Sequence, residues 1–258
     1  MAPALFLGAL VAGCGAVAPA HRDARFVIHD LGGFTAADVA RVRAELDASV
    51  RALAPYLGAP SAARLPVTVN LRPGPGVSHS HHGAGPIELH WVRERRAPIV
   101  HELTHVLAGY TPAHGHWTQE GFASYMQDRY GEDEAFPTRR LAHALVKAIV
   151  DDGALLPMLD VMRDRGRRRY FGLGDPWRRW LAYTQSTSLC TYLIEWHGAE
   201  RFFRIYDLPF ERMDFVGVYG MDAERLLEAW LREVTRGSPE DTRARAVYEE
   251  MRGTRGRR

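Results

Sequence analysis

Residues 99–107 read Ile99-Val100-His101-Glu102-Leu103-Thr104-His105-Val106-Leu107. Two histidines stand four apart in a run of apolar side chains. At about 100° per residue, His105 returns to within roughly 40° of His101 on a helix surface. Imidazoles one turn apart can grip a single metal ion, and Glu102 beside them can reach a water on that metal. The stretch therefore predicts a helix that carries metal chemistry. The plain alternative is two unrelated helix histidines with an exposed glutamate, and a third ligand decides between the two.

The compact extension HExxHxxGxxH fails, because Ala108 holds its glycine position and Thr111 its last histidine. Gly109 instead stops the helix, and Tyr110 to His116 is rich in turn residues. Trp117-Thr118-Gln119-Glu120-Gly121-Phe122-Ala123-Ser124-Tyr125 then opens a second helix with Glu120 in its first turn. A seven-residue turn can lay this helix against the first. Glu120 would then face both histidines.

With these residues in place the sequence resembles the gluzincin peptidases, the thermolysin-like and aminopeptidase-like zinc metalloenzymes. The likeness rests on HExxH, on the Trp-x-x-Glu-Gly-x-Ala block of the next helix and on a strand just before the motif. It also rests on the later run from Tyr183-Thr184-Gln185-Ser186 through Tyr192-Leu193-Ile194 to Gly198, and it spans about residues 60–235. It implies a zincin-type catalytic domain with one Zn2+ per chain, held by His101, His105 and Glu120. A fourth position left open marks a catalytic rather than a closed structural site. Water there has its pKa lowered towards about 7, and Glu102 would act as general base on it. By the same resemblance Tyr183 is the candidate oxyanion donor, with His197 and Tyr192 behind it. Strand 87–91 would be an edge strand able to pair with an extended substrate. Ser124 would orient a ligand histidine where the family often has an acidic residue.

Outward from the motif, Arg25–His29, Pro66–Leu71 and Ile87–Trp91 read as strands. Between the first two, Val39, Val42, Leu46, Val50 and Leu53 recur every three or four positions after Thr35, a good N-cap, and predict an amphipathic helix to Leu57. Residues 21–25 read as a polar leader and Arg72–Gly85 as a Pro/Gly/His-rich loop. After Ala97 helices are expected at about 98–109, 118–130, 137–150, 155–163, 176–197, 199–207 and 222–235. The fold class is α+β, a small mixed β/α part followed by helices. Residues 21–235 form the expected metallopeptidase domain and 236–258 a charged tail, partly frayed from Ser238.

The first twenty residues carry no charged side group, and Leu5 to Ala12 form a short apolar run, as in a secretory signal. Val11-Ala12-Gly13-Cys14 resembles a bacterial lipobox that would acylate Cys14. Ala18-Pro19-Ala20 offers ordinary cleavage before His21, and an uncleaved anchor helix is broken up by Gly8, Gly13, Gly15 and Pro19. The lipobox is the favoured reading. The expectation is export to the bacterial cell envelope, with membrane anchoring through Cys14. Cys190 then stands alone as a small core residue.

The protein has 258 residues, is 46% hydrophobic and 25% charged, and has a net charge of +2. That excludes wholesale disorder and gives no global field for nucleic acid. Lys147 is its only lysine. The basic runs Arg163–Arg168 and Arg178-Arg179 read as a solvated face or a surface for anionic lipid. His79, His81 and His82 belong to a mobile surface loop or a second metal site, and His114 and His116 line the turn or compete for metal. His21, His29, His90 and His143 have no partner pattern. The activity expected is that of a zinc peptidase acting on peptide or protein substrates, more in endopeptidase than aminopeptidase mode, since no Gly-x-Met-Glu-Asn block precedes the motif. The competing class is a catalytically silent zinc-containing binding protein of the envelope.

Overall fold

The computed structural model describes residues 20–22, 25–58, 64–81, 85–132, 138–163 and 167–253. Cys14 and His82 lie outside the described residues. Among the described residues no helix is long and apolar enough to cross a membrane.

Alternation builds the sheet. Strand β2 (Phe26–Asp30) buries Phe26 and Ile28, and β3 (Val67–Leu71) buries Val67, Val69 and Leu71. These two strands run parallel because helix α1 (Ala36–Leu57) crosses over between them. Thr35 caps α1 in a reciprocal box with Asp38, as its position predicts. The helix turns Val39, Val42, Leu46 and Leu53 inward. Strand β5 (Ile87–Leu89) adds parallel to β3. Two outer strands run antiparallel, β1 (Ala20–Arg22) on β2 and β4 (His79–Ser80) on β5, giving the order β1-β2-β3-β5-β4.

Helices follow the sheet, so the arrangement is α+β. They are α2 (Ile99–Ala108), α3 (His116–Tyr130), α4 (Ala142–Asp151), α5 (Met158–Met162) and α6 (Pro176–His197). After these come α7 (Ala199–Phe203), α8 (Phe215–Tyr219), α9 (Ala223–Val234) and α10 (Asp241–Arg252). The main core joins the sheet to α1, α2, α3 and α6 through such residues as Leu46, Val69, Leu103, Phe122 and Leu189.

Several expectations are corrected. Ile87–Trp91 is not the edge of the sheet: the strand ends at Leu89, and β4 covers its outer side, pairing His79 with Glu88 and Ser80 with Ile87. The amide of His81 bonds to the Pro86 carbonyl, and that of His90 to Ser78 Oγ, extending the cover. Hence His79 and Ser80 belong to a strand and not to a loop, and residues 20–22 pair as a strand where a polar leader is expected. The last segment is no frayed tail. Ala244, Val247 and Tyr248 of α10 are buried in a second cluster with Leu145, Trp177 and Trp180. Their spacing of three and one is a real apolar stripe, masked by the charges on its other faces. The helix expected at 199–207 stops at Phe203, and α8 occupies a stretch where none is predicted.

Candidate metal centre and its cleft

Helix α2 is buried along Ile99–Leu107, so both histidines are held in the core. Gly109 ends it at a φ of 72°, and its amide bonds back to the His105 carbonyl. Arg64 donates to the Val106 carbonyl and the Tyr206 hydroxyl to that of Gly109, so two free carbonyls of the helix end are satisfied. Laterally, Gln127 of α3 accepts from the amide of His101 at 3.1 Å. The connector between the helices is pinned by Asp207, which takes hydrogen bonds from the amide and hydroxyl of Thr111, each 2.9 Å, and from the Gln119 side group. Helix α3 then lies against α6 so closely that a Cβ on Gly121 would stand 2.5 Å from Cys190 Sγ and 2.6 Å from the Ser186 carbonyl. A glycine after Glu120 permits that approach.

This packing brings His101, His105 and Glu120 together. The two histidine Nε2 atoms are 3.1 Å apart, and Glu120 Oε2 is 3.3 Å from each. A four-coordinate cation with bonds of about 2.0–2.1 Å spaces neighbouring donors about 3.3–3.4 Å apart. The triangle has that size. Glu120 Oε2 is buried, makes no hydrogen bond among the described residues and faces both imidazole Nε2 atoms, so with the imidazoles neutral only a cation between them would offset its burial. Two imidazoles and a carboxylate therefore fit a divalent metal in size and in chemistry. His114 and His116 are not in this cluster. His114 faces Asp207 at 3.9 Å, and His116 lies beside Phe171.

Electrostatics follow from the same contacts. Burial would raise the Glu120 carboxyl, but His105 and His101 hold it well below the usual carboxylate range. Burial would lower His105, and Glu120 outweighs it, leaving the imidazole above its ordinary value. Ser124 Oγ lies 3.4 Å from His101 Nδ1, the contact that the resemblance implies for it. No such partner meets His105 Nδ1 among the described residues.

Beside the triad opens a cleft of about 560 Å³ lined by His101, Glu102 and Tyr183. Glu102 is 5% exposed, and its carboxylate makes no hydrogen bond or ion pair among the described residues. Burial, reinforced by the Glu120 and Glu102 carboxylates, pushes the Tyr183 hydroxyl well above the ordinary tyrosine value, so it stays protonated as a donor. The other two candidates lie elsewhere: Tyr192 and His197 pack on each other, against Trp196 and Tyr219. Cys190 is a buried core thiol, as expected.

Sequence reading missed what surrounds the triad. Arg179, expected on a solvated or lipid-facing surface, lines the cleft, and so do Arg96 and Arg139. For Arg179 a signal was present, since it precedes Tyr183 by one helical turn on the same face. Asp207 had none, because its partners are 88 and 96 residues away. Comparison of the sequence with protein-family models, with curated proteins and with solved structures finds no match.

Proposed function

We propose that this protein is a zinc-dependent peptidase with a zincin-type catalytic domain, using His101, His105 and Glu120 to hold the metal. The observation that carries the reading is Glu102. Its carboxylate makes no hydrogen bond or ion pair among the described residues and lines a cleft beside a metal-sized set of donors. General-base work explains why it is kept. Zinc held by these three side chains would supply Lewis acidity towards a peptide carbonyl and an attacking water. Glu102 takes the proton of that water on its carboxylate and passes it to the departing amine. Tyr183, on the cleft wall, would donate a hydrogen bond to the oxygen that gains charge, a contact worth about 3 kcal/mol in comparable sites.

The test is mass-spectrometric cleavage profiling of a diverse peptide pool with zinc-loaded protein, subtracting a matched Glu102→Gln control. Cuts unique to the wild type are expected. An empty difference profile would favour the silent zinc-binding protein. Export with acylation of Cys14 is proposed alongside, and palmitate labelling that survives in Cys14→Ser would overturn it.

A further inference from the structure

Three arginines, Arg96, Arg139 and Arg179, reach the cleft from three separate parts of the sequence. Arg139 is occupied: it makes two hydrogen bonds, of 3.0 and 3.1 Å, to Glu250 of α10, which also lines the cleft. Arg96 and Arg179 have no ion-pair partner among the described residues, and Arg96 lies 5.8 Å over the Trp91 ring. Glu102 is the one lining carboxylate not matched by an arginine among the described residues. The cleft thus has two unmatched guanidinium groups against one carboxylate. Arg179 stands one turn before Tyr183 on α6, about 6 Å along the axis, and its charge is felt at the Tyr183 hydroxyl. It is therefore close to where a substrate carbonyl would meet that hydroxyl.

We propose that the cleft selects peptides with a carboxylate close to the bond that reaches Glu102, gripped by the guanidinium groups of Arg179 and Arg96. The proposal rests on the peptidase reading for the identity of the ligand as a peptide. A guanidinium fork matches a carboxylate in two parallel hydrogen bonds, stronger than neutral contacts. Partly walled clefts with a surplus of one charge sign also raise the local concentration of the opposite one. Leu173 and Val77, 74% and 64% exposed, line the cleft as well and supply apolar contact for neighbouring residues. The carboxylate can belong to an Asp or Glu residue or to the free C-terminus of a peptide.

Binding is measured on the full-length Glu102→Gln protein loaded with zinc, by fluorescence anisotropy, so turnover is not needed. The probes are labelled peptides with blocked ends that differ only in Glu against Gln, and a Gln peptide with a free C-terminal carboxylate. One carboxylate form is expected to bind about tenfold tighter than the blocked Gln peptide. Which form wins names the source. The preference should shrink at least threefold in Arg179→Gln, weaken in Arg96→Gln and fall with added salt.

Equal affinity for all three probes, no binding of any of them, or a preference that survives both arginine substitutions overturns the inference. Failure of the peptidase reading is seen separately. Wild-type protein that cuts Glu and Gln peptides equally keeps the peptidase and sinks the selectivity. Carboxylate-selective binding without any cutting keeps the selectivity and sinks the peptidase.

Discussion

Asp207 accepts a hydrogen bond from the amide group of Gln119, the residue immediately before Glu120. It also holds Thr111 by two bonds, so one carboxylate beyond α7 fixes both ends of the connector between the two helices that present metal donors. Asp207→Ala removes the acceptor of both Thr111 donors, while Gln119 keeps only the Thr111 and His114 carbonyls. A loss of about 2 kcal/mol of stability is expected, seen as a lower midpoint in denaturant. Zinc affinity should fall as well, because Glu120 loses its anchor. An unchanged zinc affinity in folded Asp207→Ala would show that the connector does not position Glu120.

Glu120→Ala removes one of three donors and the countercharge of His105. Zinc affinity, read by competition with a chromogenic chelator, should drop by about two orders of magnitude or more, since a two-histidine remnant is an incomplete zinc site. Glu102→Gln should bind zinc almost as the wild type does. If both variants lose zinc equally, Glu102 belongs to the ligand set and the assignment of roles is wrong.

Ser124→Ala should have a smaller effect. The 3.4 Å contact with His101 Nδ1 orients a ligand without touching the metal, and such partners are worth about 10- to 100-fold in affinity. The low end is expected here, since the contact is long. Ser124→Asp should tighten binding if orientation of His101 is the limiting feature.

At Gly121 a single added methyl group meets Cys190 Sγ and the Ser186 carbonyl. Gly121→Ala should cost about 1–3 kcal/mol, as overpacked sites do, and thermal unfolding measures it. Adding Cys190→Ala relieves the sulfur contact but not the carbonyl, so the double variant should recover only part of the loss. Full additivity of the two destabilisations would contradict the close approach of α3 to α6.

Glu45 of α1 supplies a pH signature remote from the metal. Burial and the neighbouring Glu132 push its carboxyl up to about 7, with Arg41 and Arg95 pulling the other way. An acid whose folded pKa is raised binds more protons folded than unfolded, so stability falls as pH rises from about 4.5 through 7. Glu45→Gln is neutral throughout and nearly the same shape. Its melting temperature should exceed that of the wild type by a few degrees at about pH 8 and match it near pH 4.5. A constant difference across that range would mean the carboxyl titrates normally.

Local patterning was sufficient for much of the molecule. The four-residue spacing of His101 and His105 places both on one helix face whatever surrounds them, and Thr35 with Asp38 marks the start of α1 by side groups that reach their own backbone. Alternation was enough for β2 and β3, since one face of each is buried. Glu120 was legible because the connector is short, which leaves α3 little choice but to fold back on α2.

Tertiary structure alone decided how these parts meet. No periodicity could assign a two-residue strand to His79–Ser80, because such a pair is extended only while β5 holds it. The stripe Ala244, Val247, Tyr248 reads as a tail until α4 and α6 offer it an apolar face. Asp207 and Thr111 meet across 96 residues, and Arg96, Arg139 and Arg179 reach one cleft from distant positions. Spacing along the sequence specifies what one helix or strand presents, over a turn or two. Which faces come into contact depends on how all the buried surfaces pack at once, and that is where the shape and charge of the cleft were set.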